Sequence, residues 1–115
     1  MVYLATPYSR FEGGINKAFE EAASLAGRML VRGFRVYSPI SHTHPIAIYG
    51  GIDPTSELWY AFDETMMGIS DTLVVGMLKG WEDSYGVKRE IEFFKERGKQ
   101  VVYLDPETLE VADVQ

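Results

Sequence analysis

Glu90 closes the stretch GWEDSYGVKRE, residues 80–90, and the helical run IEFFKERG comes directly after it. With Val87 placed at zero on a helical wheel, Ile91 and Phe94 fall within about 40° of it and define a buried stripe. Glu90 sits on the edge of that stripe, between Phe94 and Phe93, while Lys88, Arg89, Glu92, Lys95 and Glu96 take the wetter side. A carboxylate there is partly withdrawn from water, one to two turns from the helix N-terminus. That placement suits a group doing nucleophilic or acid–base work, and it equally suits an edge glutamate that favours the helix dipole.

Ser84 precedes the same helix and Gly86 lies in its first turn. A serine hydroxyl and free N–H groups at a helix start can hold a phosphate or carboxylate; an ordinary serine N-cap explains the pattern as well. His42 and His44, two apart in SHTHP, look like a metal pair, but no third ligand stands at a suitable spacing, so no metal is expected. His44 could instead shape a binding pocket, as could Ser41. The glycine-rich dinucleotide fingerprint and the GxxxxGK[ST] phosphate loop are both absent, and no organic cofactor is expected.

These residues must be positioned by alternating strands and helices. VYLAT (2–6), FRVYSP (34–39), DTLVVGM (71–77) and QVVYLD (100–105) read as strands, the second ended by Pro39. Helical spacing runs from about Ile15 to Leu30, with Gly33 as a stop, and again over Val87–Arg97. Residues 40–54 carry proline and glycine punctuation and read as a long functional loop. Asp53-Pro54 then reads as a helix opening, with an N-cap acceptor and proline at N1, for a helix reaching about Gly68. The acidic end, PETLEVADVQ, is expected to be peripheral. The alternation calls for an α/β fold in three layers, flavodoxin-like or Rossmann-like, with a four- to five-stranded, mainly parallel sheet. Ligands then bind at the carboxyl ends of the strands, beside ATPYSR, SPISHTHP and LKGWEDSYG. Trp81, directly after the third strand, is a candidate pocket wall.

Residues 1–115 suffice for one domain with one core. The chain is 46% hydrophobic and 24% charged, an ordinary globular balance. A net charge of -6 argues against a nucleic-acid polymer as partner, although a small anion can still be held locally. There is no cysteine for disulfides or thiolate metal sites. MVYLATPYS has neither a basic n-region nor a long apolar stretch, and no apolar run approaches the ~20 residues needed to span a bilayer. A cytoplasmic protein is the expectation.

Taken together, VYLATPYS, the Asp63 that stands eight residues before Asp71 in DETMMGISD, and SYGVKRE followed by EFFKERGK resemble the nucleoside 2-deoxyribosyltransferase superfamily, over nearly the whole chain. Within it the chain looks closest to a small bacterial and phage group with PYS, SHTHPI and GW-x-x-S-x-G-x-x-x-E. The resemblance implies that Glu90 is a nucleophile attacking the anomeric carbon, that Tyr3 orients it, and that Asp63 faces the base or assists its departure. Transferases acting on free nucleosides carry Asp six residues before the glutamate. Here Ser84 stands there, as in the related 2′-deoxynucleoside 5′-phosphate N-hydrolases, and serine can donate to a phosphate that aspartate would repel. Ser9 and Arg10, by loose similarity, become further phosphate donors. The expectation is hydrolysis of a (2′-deoxy)nucleoside 5′-monophosphate; nucleoside transfer and a non-catalytic nucleotide-binding module are the alternatives. The resemblance also implies a homodimer or larger assembly, with the aromatic helix at 58–62 as a candidate contact.

Overall fold

The structure is a computed structural model, and it describes residues 1–112. Five strands form one sheet in the order β2-β1-β3-β4-β5. They are β1 (Val2–Ala5), β2 (Val36–Tyr37), β3 (Thr72–Gly76), β4 (Gln100–Leu104) and β5 (Val111–Ala112). The first four pair in parallel, and β5 runs antiparallel along β4. Four helices connect them: α1 (Ile15–Val31), α2 (Pro39–Gly50), α3 (Leu58–Gly68) and α4 (Tyr85–Glu96). The α/β class and mainly parallel sheet are those the alternation of patterns predicts.

The pleat sends successive side chains to opposite faces and splits the core in two. Leu4, Val74, Val102 and Leu104 meet Leu25 and Met29 of α1 on one face. Tyr3, Ala5, Leu73, Val75, Val101 and Tyr103 meet Met67 of α3 and Val87 and Phe94 of α4 on the other. From β1 the chain passes through α1 to β2, then returns across β1 to β3. The direction of winding therefore reverses at β1, which opens a crevice at the carboxyl end of that strand.

Three local expectations are corrected. Residues 40–54 are not a long loop: Pro39–Gly50 is a twelve-residue helix. Ser38 caps it, accepting from the Ser41 N–H at 3.4 Å, and Pro39 takes the first turn, where no N–H is needed. The same step cuts β2 to two residues. Second, Asp53-Pro54 does not open α3. Asp53 Oδ1 accepts from the N–H of Thr55 at 2.9 Å and from its hydroxyl at 2.8 Å, closing a local turn, and the helix begins only at Leu58. Third, the acidic end is not merely peripheral, because Leu109 is buried against the α1 face and Val111–Ala112 extends the sheet. Its last three residues, 113–115, lie outside the described part.

Lys99, just before β4, closes the far end of α3. Its ammonium donates to the carbonyls of Met67 at 3.2 Å, Gly68 at 2.8 Å and Ser70 at 2.8 Å, at and just beyond the end of the helix. Among the described residues no helix is long and apolar enough to cross a membrane.

Candidate active site

Tyr3 lies in β1 with no exposed surface, its side chain on the α3–α4 face of the sheet. Its hydroxyl donates to Glu90 Oε2 at 3.0 Å, across the gap between β1 and the second turn of α4. Strand β1 is central and α4 lies across the same face of the sheet, so the two side chains meet although they stand 87 positions apart. Burial, followed by the negative charge of Glu90 and then of Asp63, pushes the Tyr3 hydroxyl far above its ordinary range. Tyr3 is therefore a permanent donor and never a competing anion.

Glu90 keeps some of its surface open to a cavity while its carboxyl is surrounded by protein. Burial lifts it from the ordinary 4.5 to about 8, opposed by the Tyr3 hydrogen bond, with Asp63 adding to the rise and Arg89 opposing it. Asp63, on α3, is lifted from 3.8 to about 6 by burial, against the pull of Arg89. Its Oδ1 is enclosed and has no hydrogen-bond partner. Tyr37 stands beside Tyr3 in register, with ring centroids 5.7 Å apart, and burial together with Asp63 pushes its hydroxyl up to about 12. Two carboxyl groups and two neutral tyrosines thus share one half-dry corner of the fold.

The cavity measures about 210 Å³. Thr6, Tyr8 and Ser9 from the loop after β1 line one side, and Pro39, Ile40 and Thr43 of α2 line another. Trp59, Tyr60, Asp63 and Met67 come from α3, with residues 54–56 before it, and Ser84 to Gly86, Arg89 and Glu90 come from the start of α4. Of the residues expected from sequence, Glu90, Asp63, Ser84, Gly86 and Ser9 line this space, and Tyr3 stands behind Glu90. Of the two readings of Ser84, the N-cap is the one seen. Its Oγ accepts from the Val87 N–H at 3.2 Å as an N-cap, and its own proton stays free to be donated. Gly86 is not demanded by crowding, since an added Cβ would meet only Ser84 Oγ at 3.9 Å; its bareness leaves the cavity floor open.

Four other expected residues are not brought to the cavity. Arg10 is exposed on its loop. Ser41 bonds the Ser38 hydroxyl at 2.8 Å. Trp81 packs into the core against Tyr103, with centroids 5.5 Å apart. His44 is buried behind the wall: Nε2 lies 2.9 Å from Asn16 Oδ1, so it donates there, and Nδ1 accepts from the Tyr8 hydroxyl at 2.7 Å. Its ring stacks on Phe19 at 4.7 Å. His44 thus holds the cavity residue Tyr8 from behind. His42 stacks on Phe62 at 4.9 Å and shares none of His44's partners. Among the described residues no group of three or more His, Cys, Asp or Glu could hold a metal.

The pattern reading missed Arg89, whose guanidinium carbon lies 3.8 Å over the Tyr60 ring. The wheel assigns it to water because it counts only the stripe facing the sheet. Helix α3 supplies a second contact surface, and nothing in the α4 sequence announces it. The stretch ATPYSR, expected beside the crevice, brings Thr6 and Tyr8 to it, although neither was singled out; Trp59, expected in the aromatic helix as a contact residue, lines the cavity as well. No curated protein matches the chain. A family model described as a domain of unknown function, DUF1937, matches residues 1–105, from β1 through β4 and including every residue that lines the cavity. The chain belongs to the DUF1937 family.

Proposed function

We propose that the protein hydrolyses the N-glycosidic bond of a (2′-deoxy)nucleoside 5′-monophosphate, releasing free base and sugar 5-phosphate. The observation that carries this reading is the Tyr3 hydroxyl holding Glu90 at 3.0 Å inside a cavity that Asp63 also lines. Breaking an N-glycosidic bond builds positive charge at C1′ and O4′, and a carboxylate held against that carbon offsets it and can trap it covalently. Glu90 attacks C1′, the C1′–N bond breaks, and the base leaves with the electron pair while Asp63 delivers its proton. Asp63 then takes a proton from water, the hydroxide attacks C1′, and Glu90 is released as a carboxylate.

This sequence needs Glu90 ionised and Asp63 protonated. In the free protein the order is the reverse, because Glu90 holds its proton to about 8 and Asp63 only to about 6. The two arrangements carry the same net charge and differ only in which carboxyl holds the proton. The reactive one is the less populated at rest, and growing charge at C1′ favours it. The free phenol of Tyr3 stabilises the same form by donating to the ionised Glu90.

The reading includes an assembly. Leu58, Tyr60 and Phe62 remain exposed on α3 beside the cavity mouth, an apolar edge suited to contact with a second copy. The test is a panel of nucleosides and nucleoside monophosphates, with free base measured by chromatography for wild type and Glu90→Ala. Wild type should release base from a monophosphate, and the variant should be slower by about a thousandfold or more. Equal rates, or no release by wild type, defeat the proposal; acceleration by a second free base assigns the site to transfer instead.

A further inference from the structure

Arg89 is the only basic residue among those lining the cavity. Its guanidinium lies over the Tyr60 ring, and no carboxylate among the described residues closes an ion pair on it, although Asp63 and Glu90 share the cavity. A guanidinium carries five N–H donors in a planar fork, and contact of its carbon with a ring does not use them up. Gly86 and Tyr85 stand three and four positions before Arg89, on the same side of α4, and all three line the cavity. The N–H groups of Tyr85 and Gly86 come before the first backbone bond of α4, which Lys88 makes to the Ser84 carbonyl at 3.0 Å. Thr6, buried on the facing wall, has a hydroxyl with no partner.

We propose that Arg89 binds the phosphate of a phosphomonoester ligand, in a cradle completed by the Ser84 hydroxyl and the Gly86 N–H. Arg10, on the first loop, has no part in it. Without a cation an entering phosphate would face the charge of Asp63 unopposed, and Arg89 supplies the offset. It thereby sets the preference for a phosphorylated ligand over a neutral nucleoside. The identity of that ligand as a nucleotide rests on the function proposed above; the anion site itself does not.

Inorganic phosphate is the probe, titrated calorimetrically into the full chain. Arg89→Gln should weaken binding by about tenfold or more, and Arg10→Gln should leave it within about twofold. On wild-type protein, phosphate should protect Arg89 from phenylglyoxal, read by peptide mass mapping, which does not depend on any variant folding. Unchanged affinity in Arg89→Gln, protection of Arg10 in place of Arg89, or no binding to wild type each overturns the proposal. Phosphate bound through Arg89 with no base released from any nucleotide keeps the anion site and removes the glycosidase reading.

Discussion

The two faces of the sheet are built from neighbouring residues of the same strands, yet they differ in kind. Between the sheet and α1 the core is Leu4, Leu25, Met29, Val74 and Leu104, flanked by Phe11 and Phe34, and the buried His44 lies at the start of α1, against Asn16 and Phe19. Against α3 and α4 the apolar core is interrupted by Tyr3, Tyr37 and Tyr103, and it borders Asp63 and Glu90. Tyr3 and Leu4 are adjacent in β1 and fully buried, but one holds a carboxylate and the other fills space. The pleat alone separates them. One face can therefore be optimised for packing while the other carries buried polar groups that cost stability.

Close packing on the α1 face extends to Gly76, where an added Cβ would lie 2.7 Å from Leu25 Cδ2 and 3.2 Å from Leu4 Cδ1. The largest effect expected of that division comes from Leu25→Ala, which opens a cavity in this tightly filled layer. It should cost ~2–5 kcal/mol in denaturant unfolding while base release per folded molecule stays at the wild-type rate. A matching loss of activity would show that the faces are not separable. Tyr3→Phe should do the opposite. It removes one donor from Glu90, slowing base release by roughly tenfold to a hundredfold while changing stability by only about 1 kcal/mol. A stability loss as large as that of Leu25→Ala would make Tyr3 a packing residue.

The smallest effect concerns pH. Asp63 and Glu90 bind their protons more tightly in the folded protein, up to about 6 and about 8, than at their ordinary 3.8 and 4.5. The folded state then holds more protons than the unfolded chain, so stability falls as pH rises through that window. Glu90→Gln carries no charge to desolvate and should flatten the upper part of the decline. Thermal melts should place it above wild type at pH beyond about 8, by ~1–3 kcal/mol. Parallel curves for the two proteins would mean that Glu90 is not titrating in a desolvated site.

Strands β1, β3 and β4 and helices α1 and α4 were legible because burial on both faces of a strand, or along one stripe of a helix, leaves an apolar period in the residues. Helix α2 was not, because Ser38-Pro39 serves equally to end a strand and to start a helix, and Pro45 and Gly50 interrupt the helical pattern further along. Asp53-Pro54 misled for a related reason: the same aspartate that caps helices also closes a two-residue turn on Thr55. At the site, Glu90 stood out as a carboxylate at the margin of an apolar stripe, and Tyr3 through family resemblance. Arg89 could not stand out. Its role depends on Tyr60, and the position of α3 relative to α4 is a tertiary fact with no local signature.

Lys99 holds three carbonyls at the C-terminal end of α3, and that makes the helix a lever with its fulcrum at Gly68. At ~1.5 Å per residue, Asp63 stands about 7.5 Å from the fulcrum and Trp59 about 13.5 Å. A tilt about that point would sweep Trp59 almost twice as far as Asp63, and both side chains line the cavity.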